Sequence, residues 1–135
     1  MDYMPWMDDY SVGVASIDAQ HKHLVGMING MKEVLSRGSK SDEVAALLDD
    51  LLEYTDSHFA FEEGLMAKAA YEELNAHKEK HTAMKAEVRR LLAQASNGNV
   101  VVPLTLMQFL RNWLARHIMV TDKAYASALK KAGIT

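Results

Sequence analysis

His58 and Glu62 lie four residues apart, and so do His77 and His81. On a helix that separation turns only about 40° around the axis, so each pair stacks on one face and can grip a single ion. His21 and His117 place two more imidazoles in the same kind of helical, apolar context. Glu63 is rotated about 140° from His58 and His23 about 200° from His21, so both read as solvated surface groups. Asp122 follows His117 by five residues in the run His-Ile-Met-Val-Thr-Asp. A regular helix would aim these two apart, so their joint use as ligands requires a π-bulge between them.

The elements that must position these residues follow from apolar periodicity and from breakers. Residues 1–16 read as an extended arm, broken by Pro5 and Gly13, with Trp6, Val12 and Val14 available to pack it down. A first helix is expected from near Asp18, capped by Ser16 or Asp18, to Gly38. A second should run from Ser41 to about Ala67, and a link at 68–70 leads to a third. Asn97-Gly98-Asn99 should stop the third near Ser96, and Pro103 suits the first turn of a fourth that continues to about Lys131. The apolar stripes are Ile17, Leu24, Ile28, Met31, Leu35; then Val44, Leu48, Leu51, Thr55, Leu65; then Leu74, Met84, Val88, Leu91; and last Leu106, Leu110, Trp113. Four such helices with short links predict an all-α, antiparallel up-and-down four-helix bundle with an extended N-terminal arm, a single domain over residues 1–135.

Five of the six histidines and Glu62 fall on these stripes, where the bundle calls for leucine. A buried polar ring without a partner costs roughly 1–3 kcal/mol, and a bare carboxylate far more. Taken singly, any of these histidines would be better read as a core or surface residue. Their joint placement argues otherwise. Antiparallel connection sets the starts of helices one and three beside the ends of helices two and four, so all six residues gather toward one end of the core.

Composition narrows the chemistry. With no cysteine there is no thiolate metal site, iron–sulfur cluster or disulfide framework. A net charge of −3 lacks the basic surplus of a nucleic-acid binder, and no apolar run approaches the ~20 residues of a membrane span. Asp2, Asp8 and Asp9 without a basic stretch do not read as a signal peptide, so a cytoplasmic protein is the default expectation. The nine methionines scatter and read as core filler rather than a copper site. Five imidazoles and two carboxylates are too many for one ion. Two six-coordinate ions bridged by both carboxylates and by an oxo or hydroxo group would keep a single position open, which suits one small molecule. Zinc prefers four ligands, so iron, whose redox pair can reduce dioxygen and reverse the step, is the preferred metal.

Assembled in order, Trp6, Val12-Gly13-Val14, Asp18-Ala19-Gln20-His21-Lys22, His58-x3-Glu62, His77-x3-His81 and Trp113-Leu114-x2-His117-Ile118-x3-Asp122-Lys123 resemble the hemerythrin family, and within it the single-domain bacterial hemerythrins. The resemblance spans nearly the whole chain. It implies that His77, His81 and His117 hold one iron, that His21 and His58 hold the other, and that Glu62 and Asp122 bridge them. It further implies that dioxygen binds end-on at the two-histidine iron, in an apolar pocket lined by Leu24, Phe59, Trp113, Leu114 and Ile118. Such a pocket excludes water and protons and so slows the loss of bound dioxygen. Two positions depart from the usual pattern: His23 stands where a non-histidine is common, and Val120 where glycine often precedes Thr121. The expected function is reversible dioxygen binding, for storage, delivery or sensing, by a protein that is not an enzyme. Two alternatives are a di-iron enzyme acting on peroxide, nitric oxide or dioxygen, and an iron store or buffer. Oxygen-activating bundles typically carry Glu-x-x-His pairs, which this chain lacks.

Overall fold

The computed structural model describes residues 3–38, 41–96 and 102–135. Helix α1 spans Ala15–Ser36, α2 Ser41–Lys68, α3 Leu74–Ser96 and α4 Val102–Arg116. A π-helical segment, His117–Asp122, continues α4 without a break into α5, Lys123–Lys131. Consecutive rods pack on one another and α1 closes the ring against α4, which gives the expected all-α four-helix bundle. Among the described residues there is no strand, and no helix is long and apolar enough to cross a membrane.

The buried faces repeat at helical spacing, with small drifts from the expected stripes. Val34 rather than Leu35 is buried at the end of α1, and Met66 rather than Leu65 near the end of α2. Steps of three and four alternate imperfectly around a 3.6-residue turn, so a long stripe changes face by one residue near its end.

Three boundaries differ from the sequence reading. Helix α1 begins at Ala15 with no side-chain cap, because Asp18 is otherwise engaged. Its carboxylate accepts from the Val12 backbone N–H at 2.8 Å and from the Ser11 hydroxyl at 2.5 Å, fastening the arm to the first turn. The same helix stops at Ser36, short of Gly38, whose φ of +69° takes the chain out of the helix. The link between α2 and α3 runs over residues 69–73, with Ala70 at φ +54° in the left-handed region that glycine occupies more easily. The Asn97-Gly98-Asn99 stop lies outside the described residues.

The arm follows the seam between α1 and α4. The Asn29 side chain on α1 pairs with both backbone groups of Met4, donating at 2.9 Å and accepting at 2.6 Å. The Tyr3 ring faces the Lys32 ammonium on α1 at 5.6 Å and the Arg111 guanidinium on α4 at 4.7 Å, and Lys22 sits 5.2 Å from the Trp6 ring. A 3₁₀ turn at Asp8–Tyr10 then touches the π segment, and Met4, Tyr10, Val12 and Val14 are buried.

Candidate metal centre

The π segment solves the register problem that the sequence poses. A π turn carries about one residue more than an α turn, so the residue five positions on returns toward the same face. Asp122 thereby comes to His117, with Oδ1 2.9 Å from Nε2. Val120 points outward at 64% exposure and leaves the ligand side untouched.

All seven expected donors meet at one end of the core, and none is more than 5% exposed. His21 comes from α1, His58 and Glu62 from α2, His77 and His81 from α3, and His117 and Asp122 from the π segment. Each of these five histidines turns Nε2 inward. The two carboxylates divide their oxygens between two foci. Glu62 Oε1 lies 3.0 Å from His77 and 3.2 Å from His81, whereas Oε2 lies 3.1 Å from His58 and 3.5 Å from His21. Asp122 repeats the division, with Oδ1 3.1 Å from His77 and Oδ2 3.1 Å from His21. Donor atoms close enough to hold an ion therefore form two sets: Glu62, His77, His81, His117 and Asp122 in one, and His21, His58 and Glu62 in the other.

These atoms converge on shared points rather than on one another. His21 Nε2 and both Asp122 oxygens are buried without a hydrogen bond of acceptable geometry, despite their short separations. His81 Nε2 and His117 Nε2 face each other at 3.1 Å, where two ring nitrogens can share at most one proton. Buried polar groups are normally paired, and a cation at each focus would satisfy every one of these lone pairs. The donor set, imidazole and carboxylate without thiolate, fits a first-row metal such as iron.

Protons occupy part of this space when metal does not. Burial presses His21 and His77 toward neutrality, but the Asp122 and Glu62 carboxylates outweigh it and raise both to about 9. Burial pushes Glu62 upward too, yet the four imidazoles around it hold its carboxyl well below the usual range. Burial and the nearby Glu62 charge act the same way on Asp122, and His117, His21 and His77 overcome them, leaving it at about 2. His117 is lowered, chiefly by burial.

Three supporting groups escaped the sequence reading. Glu63, expected to be a solvated charge, approaches His81 Nδ1 at 2.8 Å and is only 24% exposed. Helical rotation fixes where its Cβ lies, but the long side chain reaches back to the α2–α3 seam. Gln20 Oε1 lies 2.6 Å from His58 Nδ1, and the buried Tyr125 hydroxyl donates to Glu62 Oε2 at 3.2 Å. Position beside His21 is the one signal that marked Gln20, and nothing in spacing marked Tyr125. His23 is exposed as expected and packs on Tyr54 outside the cluster.

Aromatic rings fix the imidazoles from the side. Phe59 stacks on His81 at 3.6 Å and Trp113 on His117 at 4.2 Å. Leu24, Phe59, Trp113 and Leu114 help to line an apolar cavity of about 20 Å³ next to the cluster. Ile118 is fully buried in the π segment but does not line that cavity.

Bundle and site together define a four-helix protein that encloses a buried histidine–carboxylate cluster able to hold metal. Residues 12–129 match the hemerythrin HHE cation binding domain, and the chain belongs to the hemerythrin family. It is 35% identical over 130 residues to bacteriohemerythrin of Pseudomonas aeruginosa, covering 96% of this chain and 84% of that protein. Bacteriohemerythrin of Methylococcus capsulatus is 32% identical over 130 residues, 96% of this chain and 98% of the relative. A crystal structure of wild-type hemerythrin superposes with a TM-score of 0.86 at 30% identity, covering 94% of this chain and 98% of that one. A leucine-to-alanine variant of hemerythrin superposes at 0.88, again at 30% identity, with coverage of 96% and 98%.

Proposed function

We propose that the chain, acting as one hemerythrin-like domain, binds dioxygen reversibly at two iron ions joined by an oxo or hydroxo bridge. His77, His81 and His117 would hold one ion, His21 and His58 the other, and Glu62 and Asp122 would serve both. The observation that carries this reading is the division of each carboxylate between a three-histidine and a two-histidine focus. With bridges shared, the two-histidine ion has one protein ligand fewer, so a position for a small ligand falls there. A pair of irons supplies the electrons that dioxygen accepts on binding and gives back on release.

The chain's own residues do the rest. Leu24 stands one turn beyond His21 and Phe59 beside His58, and with Trp113 and Leu114 they present hydrocarbon to the ligand position. A cavity of about 20 Å³ holds one very small molecule and little else. These dry walls exclude water and protons from the ligand position, and Ile118 is buried in the π segment. The names of the relatives, bacteriohemerythrin and hemerythrin, point the same way. The test is optical. Reduced, iron-loaded protein mixed with air should gain a visible charge-transfer band and lose it under vacuum, with two irons per chain by elemental analysis. Irreversible bleaching would reject the proposal, sustained turnover of nitric oxide or peroxide would favour an enzyme, and more than two irons per chain would favour storage.

A further inference from the structure

Two of the inward-facing histidines are held from behind, and by unlike chemistry. His81 turns Nε2 to the centre and Nδ1 to Glu63 Oε2, 2.8 Å away, while Phe59 lies flat against the ring with an interplanar angle of 2°. His58 turns Nδ1 to Gln20 Oε1, 2.6 Å away. His21 Nδ1 is buried with no partner at all. A histidine that offers Nε2 to a metal carries its ring proton on Nδ1 and donates it outward. The acceptor on the three-histidine side is therefore a carboxylate, and on the two-histidine side a neutral amide. Donation to a carboxylate draws the ring toward imidazolate and makes Nε2 a stronger ligand, and an amide oxygen does so less.

We infer that Glu63 is a positioning residue that strengthens the three-histidine site beyond what its extra imidazole supplies, so that metal fills this site first and leaves it last. The inference rests on the two-ion reading above and deepens it, by assigning part of the difference between the ions to one residue outside the ligand set. Glu63→Gln keeps the size and an acceptor oxygen but removes the formal charge. Gln20→Glu supplies a charge to the other side, so the two variants form a reciprocal pair.

The experiment titrates metal-free protein with cobalt(II), followed by calorimetry and visible absorption. Wild-type protein should bind two ions in two resolved steps. Glu63→Gln should weaken the tighter step by about tenfold to a hundredfold and leave the weaker one in place. Gln20→Glu should strengthen the weaker step. In the cobalt-loaded protein, the exchangeable, hyperfine-shifted Nδ1 proton of His81 should move in Glu63→Gln while that of His58 stays. Two ions of equal affinity in the wild type, or an unchanged titration and an unmoved His81 signal in Glu63→Gln, would overturn the inference alone. Fewer than two ions in the wild type would overturn the two-ion reading along with it.

Discussion

His21 and His77 each lie against both carboxylates, and in the metal-free protein this contact holds their protons up to about pH 9. Metal and proton compete for the same Nε2 atoms, so metal uptake at neutral pH should release protons. Apparent affinity should rise with pH until about 9 and then level off. Calorimetry in buffers of different ionisation enthalpy would count the protons, and a count of zero at pH 7 would contradict protonation of His21 and His77. The same shifts set the pH dependence of the metal-free fold. Both histidines are raised above 6.5, so their contribution is complete below pH 6.5 and fades as the pH climbs through about 9. Asp122 is depressed from 3.8 to about 2, so its contribution is complete above pH 3.8 and is lost as the pH falls toward 2. Urea midpoints of the chelated protein across pH would trace both limbs. His77→Ala or His117→Ala should empty or scramble the centre, and retention of two metals with an unchanged spectrum would refute those assignments. At this scale the seven donors are legible in the sequence, because a metal needs particular residue types at helical spacing. Glu63, Gln20 and Tyr125 are not, because a hydrogen bond that supports such a side chain depends on how neighbouring helices pack and on side-chain reach.

The π segment shows what an element adds that residue types cannot. Spacing demands it, since His117 and Asp122 can meet only if the turn between them is wide, and the structure supplies it over His117–Asp122. Deleting Val120, which is 64% exposed, should let the segment relax to a regular helix. His117 and Asp122 would then stand four residues apart, about 40° around the axis, and would still share a face. The expected result is retention of bound metal with nearly unchanged far-ultraviolet circular dichroism. Loss of metal in the deletion variant would show that the centre needs the wide turn itself and not only a shared face. The start of α1 teaches the opposite lesson. Asp18 has the chemistry of a helix cap, but the arm's Ser11 and Val12 take both its oxygens, a tertiary demand that outweighs local preference.

At the scale of the molecule, one half of the bundle core is hydrocarbon and the other a cage of polar groups. Van der Waals packing cannot stabilise such a cage by itself, because His21 Nε2 and both Asp122 oxygens lack mutual partners. Bound metal should therefore contribute to stability. At free metal one hundredfold above Kd the gain is about 2.7 kcal/mol for one site, or on the order of 10 °C in Tm. Scanning calorimetry of loaded and chelated protein would measure it, and equal transition temperatures would speak against metal in the cage. The ring of four rods was legible from periodicity because burial of an apolar stripe is a one-dimensional pattern. The course of the arm was not, since it depends on Asn29, Lys32 and Arg111 meeting it from two different helices.

That course gives the cage a weather side and a lee side. The arm caulks the joint between the rods that carry His21 and His117, whereas the joint between α3 and the π segment stays open as a groove of about 340 Å³ beside Lys80, Trp113, Arg116 and His117. Corrosion of the centre by water, acid or chelator thus has a bearing, and His117, with Trp113 leaning flat on it, is the first of the seven it meets.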